Sequence, residues 1–257
     1  MERIDIYRKR LQLDIMEKGW KKIHGLIPVL ESPYKLIRVG NKNGDGGYIM
    51  ADYFPDNAVA YSFGVGNDVS WDDDIAESVK TVMMFDHTIS KLPPHKNKEK
   101  LVWKQCGVSG NTNGVFSTLQ RLIALNGHSD EDNMILKLDV EGAEYDVIKS
   151  TPIDVFRRFS QIVIEFHNMH IFENIDTACF ALEKLLETHT PIHVHANNVG
   201  RILKINNTNM PELLEVTYLN KKLFRGDEEL AKYIYPRNID VRNCYYNDDI
   251  ILGYWNI

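Results

Sequence analysis

The chain has little cysteine, no long apolar run and no excess of positive charge. Its three cysteines, Cys106, Cys179 and Cys244, lie far apart and form no CxxC pair, so neither a disulfide framework nor a structural zinc site is expected. No run of about 18 apolar residues occurs, which excludes a helical membrane span. The first 20 residues carry charges in every turn and lack the apolar centre of a signal peptide. Lys and Arg number 30 against 36 Asp and Glu, a net charge of −6, which argues against nucleic acid as a partner. Repeats, low-complexity tracts and linkers rich in Pro, Gly or Ser are also missing. What remains is ordinary globular usage over 257 residues, 44% hydrophobic and 26% charged. The expectation is a soluble protein of a reducing cytoplasm.

Residues 3–24 space Ile4, Leu11, Ile15 and Ile23 among charges as an amphipathic helix does. Two short strand-like runs, 34–39 and 48–50, flank a loop of Gly, Asn and Asp and suggest a hairpin. From residue 58 the pattern alternates. Strands are expected at 58–63, 81–85, 101–106, 134–138, 161–166, 191–195 and 213–219. Helices are expected after a Ser70 cap, at 118–125, at 145–159 with a turn at Pro152, and at 175–187. Short apolar strands alternating with helices imply an α/β architecture with a mainly parallel sheet, buried on both faces. Residues 1–57 read as a helix and hairpin extension packed on one core domain spanning 58–257.

In such sheets ligands bind beyond the carboxyl ends of the strands. The first strand ends in Tyr61-Ser-Phe-Gly64-Val-Gly66-Asn67-Asp68, where glycine permits a tight turn and a close backbone approach. Asp86 ends the second strand, placed to hold two ribose hydroxyls. NAD is the first competitor for that geometry. The GxGxxG pattern fails at Val69, however, and Asp72, Asp73 and Asp74 in the next helical turn would repel a diphosphate. S-adenosylmethionine (SAM), a sulfonium cation without phosphate, suits an acidic, glycine-lined pocket better.

The fourth strand delivers Asp139, Glu141 and Glu144 within six residues, costly unless the charges face a site or a cation. Glu141 and Glu144 also read as ordinary first-turn helix acids. Glu165 and His167 share one side of the next strand, as His193 and His195 do further on. A single strand histidine is usually structural. Four polar positions converging at neighbouring strand ends favour a site, and His is the natural base near neutral pH. Asp139, Glu165 and His167 would also suit Mg²⁺ or Mn²⁺, although a metal-free base is the more economical reading.

Together, Tyr61-Ser-Phe-Gly-Val-Gly-Asn-Asp68, Phe85-Asp-His-Thr88, Leu136-Lys-Leu-Asp-Val-Glu-Gly-Ala-Glu144 and Ile164-Glu-Phe-His167 resemble the FkbM-type methyltransferases. The likeness is to the branch with Arg38-Val-Gly40 and Asp45-Gly-Gly-Tyr48 ahead of the core, and it spans roughly residues 34–198. It implies a Rossmann-like class I αβα sandwich and a SAM-dependent O-methyltransferase acting on hydroxyls of natural products and sugars. By position, Gly64, Val65, Gly66 and Asp68 would line the methionine part of SAM. Asp86 would hold the ribose, with His87 a cofactor contact, and Val108 and Ser109 would border the adenine. Asp139 would lie near the transferred methyl. Related sugar enzymes place a metal on an acid after strand four and two groups after strand five, here Asp139, Glu165 and His167, with His a departure from carboxylate.

The expected reaction is in-line methyl transfer to an alcohol, with His167 or His195 as base and Asp139 orienting it or binding the metal. Asn197, Asn198, Asn206, Asn207, Asn209, Tyr245 and Tyr246 suit a sugar acceptor and are also common loop residues. Lys35, Lys42, Arg201 and Arg237 would meet the diphosphate of a nucleotide sugar, or simply be solvated. A surface-polysaccharide precursor is the preferred acceptor. The competing activities are a nicotinamide-dependent sugar oxidoreductase, a methyltransferase of a non-sugar small molecule, and a non-catalytic module that kept the fold. The N-terminal helix would cap the site or pair with a second copy in a homo-oligomer.

Overall fold

The computed structural model describes residues 2–169, 175–205 and 208–256, with backbone alone for 2–12 and 208. Asn206 and Asn207 lie outside the described residues. Helix α1 (Glu2–Gly25) leads into the hairpin β1 (Leu36–Gly40) and β2 (Gly47–Ala51). The core then runs β3 (Val59–Phe63), α2 (Ser70–Ala76), β4 (Thr81–Phe85), β5 (Leu101–Lys104), β6 (Gly107–Val108), β7 (Phe116–Ser117), α3 (Leu119–Leu125) and β8 (Met134–Leu138). It continues through α4 (Glu144–Ser150), α5 (Ile153–Phe156), β9 (Phe159–Phe166), α6 (Ile175–Leu186) and β10 (His189–Ala196). The small hairpin β11 (Ile202–Ile205) and β12 (Thr208–Pro211), then β13 (Leu214–Asn220) and the pair β14 (Ile234–Tyr235) and β15 (Gly253–Tyr254), complete it.

Seven strands form the central sheet in the order β10-β13-β9-β8-β3-β4-β5. All neighbours are parallel except β13, which runs antiparallel between β9 and β10. The order reverses at β3, so the carboxyl ends of β3 and β8 border the crevice where open α/β sheets bind ligands. The period of two decides which face each residue serves. Tyr61, Phe63, Leu136 and Ile164 pack with Trp20, Phe156 and Leu182 on one face. Ala60, Ile135 and Val163 pack with Val39, Tyr48 and Trp71 on the other. Lys137, Asp139, Glu165 and His167 have the parity of Ile135 and Val163, and therefore emerge on the side of the β1–β2 hairpin.

Three local expectations are corrected. Ser70 is the first helical residue, not the cap; the Asp68 carboxylate accepts its N–H at 2.7 Å instead. The helix expected over 145–159 breaks into α4 and α5 because Thr151, ahead of Pro152, is extended, as a residue before proline must be. Phe159 then belongs to β9. The strand begun at Leu101 stops at Lys104, two residues early. Helix α1 packs on α6, where Gly19 passes so close that a Cβ would lie 2.1 Å from Ile175. No described helix is long and apolar enough to cross a membrane.

Candidate active site

At the end of β3 the chain turns through Gly64 (φ +79°) and Gly66 (φ +55°). A Cβ on Gly64 would sit 1.6 Å from the carbonyl oxygen of Asp139, so glycine is what lets the ends of β3 and β8 touch. A Cβ on Gly66 would meet nothing within 4 Å, which leaves that backbone open to a ligand. Asp86 draws the turn toward β4: its Oδ2 accepts the N–H groups of Val65 (3.0 Å) and Gly66 (2.8 Å). Its Oδ1 accepts the N–H and hydroxyl of Thr88, each at 2.7 Å. Burial alone would raise the Asp86 carboxyl, but these donors hold it below its usual range. Of the four, only the Thr88 hydroxyl can rotate away and free a lone pair for a ligand hydroxyl.

The other expected donor-site residues gather nearby with different duties. Asp68 is exposed and accepts the Ser70 N–H at the start of α2. His87 is exposed, with its ring 4.6 Å from that of Phe116. Val108 is buried, while Ser109 donates its hydroxyl to the Asn111 carbonyl at 2.6 Å. Half-buried Phe116 and exposed His87 therefore form the accessible flat surface beside Val108. Phe116 sits in a two-residue strand that hydrophobic periodicity cannot reveal.

The acids of α2 do not line the crevice. Asp72 is buried, and that burial raises its carboxyl to about 6 against the pull of Lys137. Asp73 accepts the N–H groups of Lys96 and Asn97; Asp74 accepts the Gly40 N–H and pairs with Lys42 at 2.6 Å. The crevice takes its negative charge from Asp86 and from the ends of β8 and β9.

There, Asp139 Oδ2 accepts the Tyr48 hydroxyl at 2.8 Å and lies 3.7 Å from the buried Lys137 ammonium. Lys137 also donates to the Gly64 carbonyl at 2.6 Å, tying the end of β8 to the glycine turn. Asp139 Oδ1 faces His167 Nε2 at 3.8 Å. His167 Nδ1 bonds Glu144 Oε1 at 3.0 Å, and the fully buried Glu144 also accepts the N–H groups of Val140 and Gly142. Burial lowers the His167 pKa, but the hydrogen bond and charge of Glu144, with Asp139 and Glu141, lift it to about 8. Glu141, left-handed at φ +56°, returns its carboxylate to within 3.4 Å of His167 Nε2. The arrangement is a carboxylate–imidazole pair with its second ring nitrogen turned to the crevice, the geometry of a general base.

Glu165 accepts from Asn197 Nδ2 at 2.9 Å and lies 3.5 Å from the Tyr48 hydroxyl. Burial, then the charges of Asp139, Glu215 and Asp45, hold its carboxyl well above the usual range. Glu165 therefore does not complete the expected metal trio; it is 4.0 Å from His167 and turned to Asn197 and Tyr48. Among the described residues the sets whose ligand atoms lie within 4.8 Å of one another are Asp139, Glu141 and His167, and Asp45, Glu165 and Glu215. The first has donors fit for a hard divalent ion, but Lys137 already sets a positive charge beside Asp139.

His195 lies apart from this centre. It is 1% exposed, its Nδ1 bonds Glu215 at 3.0 Å, and Asp249 stands 3.6 Å from its Nε2. Despite burial, those acids raise it to about 10, so it is cationic at neutral pH and unfit as the base. The acids come from β13 and the C-terminal segment, which the local pattern around His195 does not announce. His193 pairs with Asp240 at 2.7 Å. Asn198 stitches the segment at Cys244 and Asn247 through four hydrogen bonds and is structural. Two cations expected to meet a diphosphate are engaged: Lys42 with Asp74, and Arg237, whose guanidinium lies 3.8 Å over the Tyr233 ring.

Residues 55–193, more than half of the chain, match the model of the methyltransferase FkbM domain. Among curated proteins no relative matches. Solved structures with similarity include SMU.1697c from Streptococcus mutans in complex with SAH, at 15% identity over 71% of this chain and 89% of that one, TM-score 0.35. Others are an rRNA methylase from Streptococcus thermophilus (13%, 65% and 89%, TM-score 0.39) and the precorrin 8w decarboxylase of Methanobacterium thermoautotrophicum (13%, 64% and 82%, TM-score 0.36). Likeness at this level carries no argument about activity. The family match does, and it removes the nicotinamide oxidoreductase from consideration. With the sheet order and the glycine turn at its switch point, the chain belongs to the FkbM methyltransferase family and is a SAM-dependent class I methyltransferase.

Proposed function

We propose that this enzyme methylates a hydroxyl oxygen, and that the acceptor is a sugar, either nucleotide-linked or part of a surface-polysaccharide precursor. The observation that carries the reading is the Glu144–His167 pair, whose Nε2 points at the ends of β8 and β9 beside Asp139. An alcohol is too weak an acid to attack carbon without losing its proton, so O-methylation needs a base there.

When bound, SAM supplies an electrophilic methyl carbon on a positively charged sulfur. The open backbone at Gly66 and the Asp86 carboxylate would hold its amino-acid and ribose parts, and Val108, Ser109, His87 and Phe116 would border the adenine. Asp139 contributes a negative charge where the cation is expected. Neutral His167 accepts the acceptor's proton at Nε2, and Glu144 stabilises the imidazolium that forms. Alignment of the two reactants supplies most of the remaining rate.

The sugar preference draws on Asp45, Asn197 and Asn243. Asn197 and Asn243 both donate to Asp45, and to the buried Glu165 and Glu215 respectively. Both amide hydrogens of each asparagine are thereby engaged, and the exposed Asp45 carboxylate they hold is the group that would accept from a polyol hydroxyl. Exposed Tyr245 and Tyr246 follow Asn243 after the single residue Cys244.

The test is incubation of enzyme and SAM with free hexoses, with UDP-, GDP- and dTDP-linked hexoses, and with phenolic and amine acceptors, with EDTA or with Mn²⁺. Mass spectrometry is expected to find one added methyl on a sugar hydroxyl, in the presence of EDTA. Methylation confined to phenols or amines would refute the sugar reading; activity abolished by EDTA and restored by Mn²⁺ would replace the metal-free base with a metal held by Asp139, Glu141 and His167.

A further inference from the structure

Tyr48 belongs to the β1–β2 hairpin, outside the residues that match the family domain. Its side chain nevertheless reaches the centre of the crevice. The residue is 2% exposed, and its hydroxyl lies between Asp139 Oδ2 at 2.8 Å and Glu165 Oε2 at 3.5 Å. Lys137 Nζ stands 5.5 Å from the ring centroid. Burial and the neighbouring carboxylates keep the phenol protonated. A phenol has one proton to donate, and the shorter distance assigns it to Asp139.

The hairpin is built to hold this side chain. Arg38 clips the loop by donating to the carbonyls of Asn41 and Gly44, each at 2.7 Å. Gly46 turns at φ +79°, and a Cβ on Gly47 would lie 2.2 Å from the Asn41 carbonyl oxygen, so the chain can tighten around the guanidinium only with glycine there. On the far side, Thr217 of β13 donates its hydroxyl to the Ile49 carbonyl and fixes the next residue.

The two oxygens of Asp139 thus have different neighbours. Oδ2 faces Tyr48 and Lys137; Oδ1 faces His167. We propose that Tyr48 is a positioning residue for methyl transfer: its hydroxyl anchors Oδ2 of Asp139 and so presents Oδ1, in a set direction, to the reacting groups beside His167. The proposal rests on the reading of Asp139 and His167 as the reaction centre. It makes the hairpin part of the catalytic apparatus and not just a cover for one face of the sheet.

Tyr48→Phe removes one oxygen atom and keeps the ring. With a nucleotide-hexose that the wild type methylates, kcat is expected to fall ~10- to 100-fold, the cost of a misplaced reacting group, with KM for SAM within about twofold of wild type. Crystals of both forms give a readout that needs no acceptor. In the wild type Tyr48 should contact one Asp139 oxygen; in Tyr48→Phe that carboxylate should be rotated. Equal kcat in the two forms, or an Asp139 carboxylate unmoved by the substitution, would overturn the proposal. If Tyr48→Phe fails to fold, a wild-type crystal in which the Tyr48 hydroxyl bonds Glu165 and not Asp139 would overturn it. Should the wild type methylate no hydroxyl, the O-methyltransferase reading fails while the crystals still decide the role of Tyr48.

Discussion

Replacing Glu144 by Gln removes a buried charge from the His167 pair and keeps an oxygen that can accept from Val140 and Gly142. In the native protein His167 titrates at about 8 against 6.5 for the free side chain. Burial acts downward; the Glu144 hydrogen bond and charge, then Asp139 and Glu141, act upward. The difference of about 1.5 corresponds to about 2 kcal/mol of preferential stabilisation of the protonated fold. The folded value lies above the unfolded one, so this contribution is complete below pH 6.5 and disappears as pH rises through 8. Glu144→Gln removes the charge among these upward causes, while its amide oxygen can still accept from His167 Nδ1. Its stability should therefore depend less on pH across that window, by about 1–2 kcal/mol. Other titrations, that of His195 among them, are common to both proteins and cancel in the comparison. Urea unfolding at pH 6 and pH 9 measures the difference for each. Methyl transfer should follow the same group with opposite sign. A base must be neutral, so the wild-type rate should climb as pH passes 8, and the climb in Glu144→Gln should centre lower. Parallel stability differences and superimposable rate profiles would refute the assignment of Glu144 as partner of His167.

Three further outcomes separate the roles of neighbouring residues. Gly64→Ala should collapse the contact between β3 and β8 and lower the unfolding midpoint severely, whereas Gly66→Ala, unobstructed but left-handed, should cost only about 1–2 kcal/mol and show its main effect as weaker SAM binding in calorimetry. Asp86→Asn should weaken SAM binding ~10-fold or more, as expected for losing a charged acceptor at the ribose; unchanged affinity would place the ribose elsewhere. His195→Ala should destabilise the fold by ~3–5 kcal/mol because buried Glu215 loses its cationic partner and keeps only the Asn243 amide; a variant as stable as wild type but catalytically dead would return His195 to the reaction.

The parts of the fold that are plain in the sequence are those made by contiguous, buried runs. Met134–Leu138 is buried at every residue and reads as an inner strand, and Ile175–Leu186 shows its apolar stripe. Strand ends follow from strands, which is why Asp139, Glu165 and His167 were legible together. Their neighbours were not. Tyr48 meets Asp139 across 91 residues, and Glu215 lies opposite Glu165 only through the antiparallel register of β13 with β9. A histidine two residues along a strand from another looks equally available whether or not an acid such as Asp249, from a distant segment, covers it. Glu144 looked like a first-turn helix acid and is one; its second duty to His167 arises because α4 begins directly beneath the end of β9. Periodicity reports faces and burial, while pairing between segments is set by topology.

The most direct test of the proposed chemistry is a paired measurement on His167→Ala: the affinity for SAM by calorimetry, and kcat for a hydroxyl acceptor that the wild type methylates. SAM binding should persist while turnover falls by ~10²–10⁴, the usual contribution of a positioned base. Wild-type turnover in His167→Ala would contradict the account.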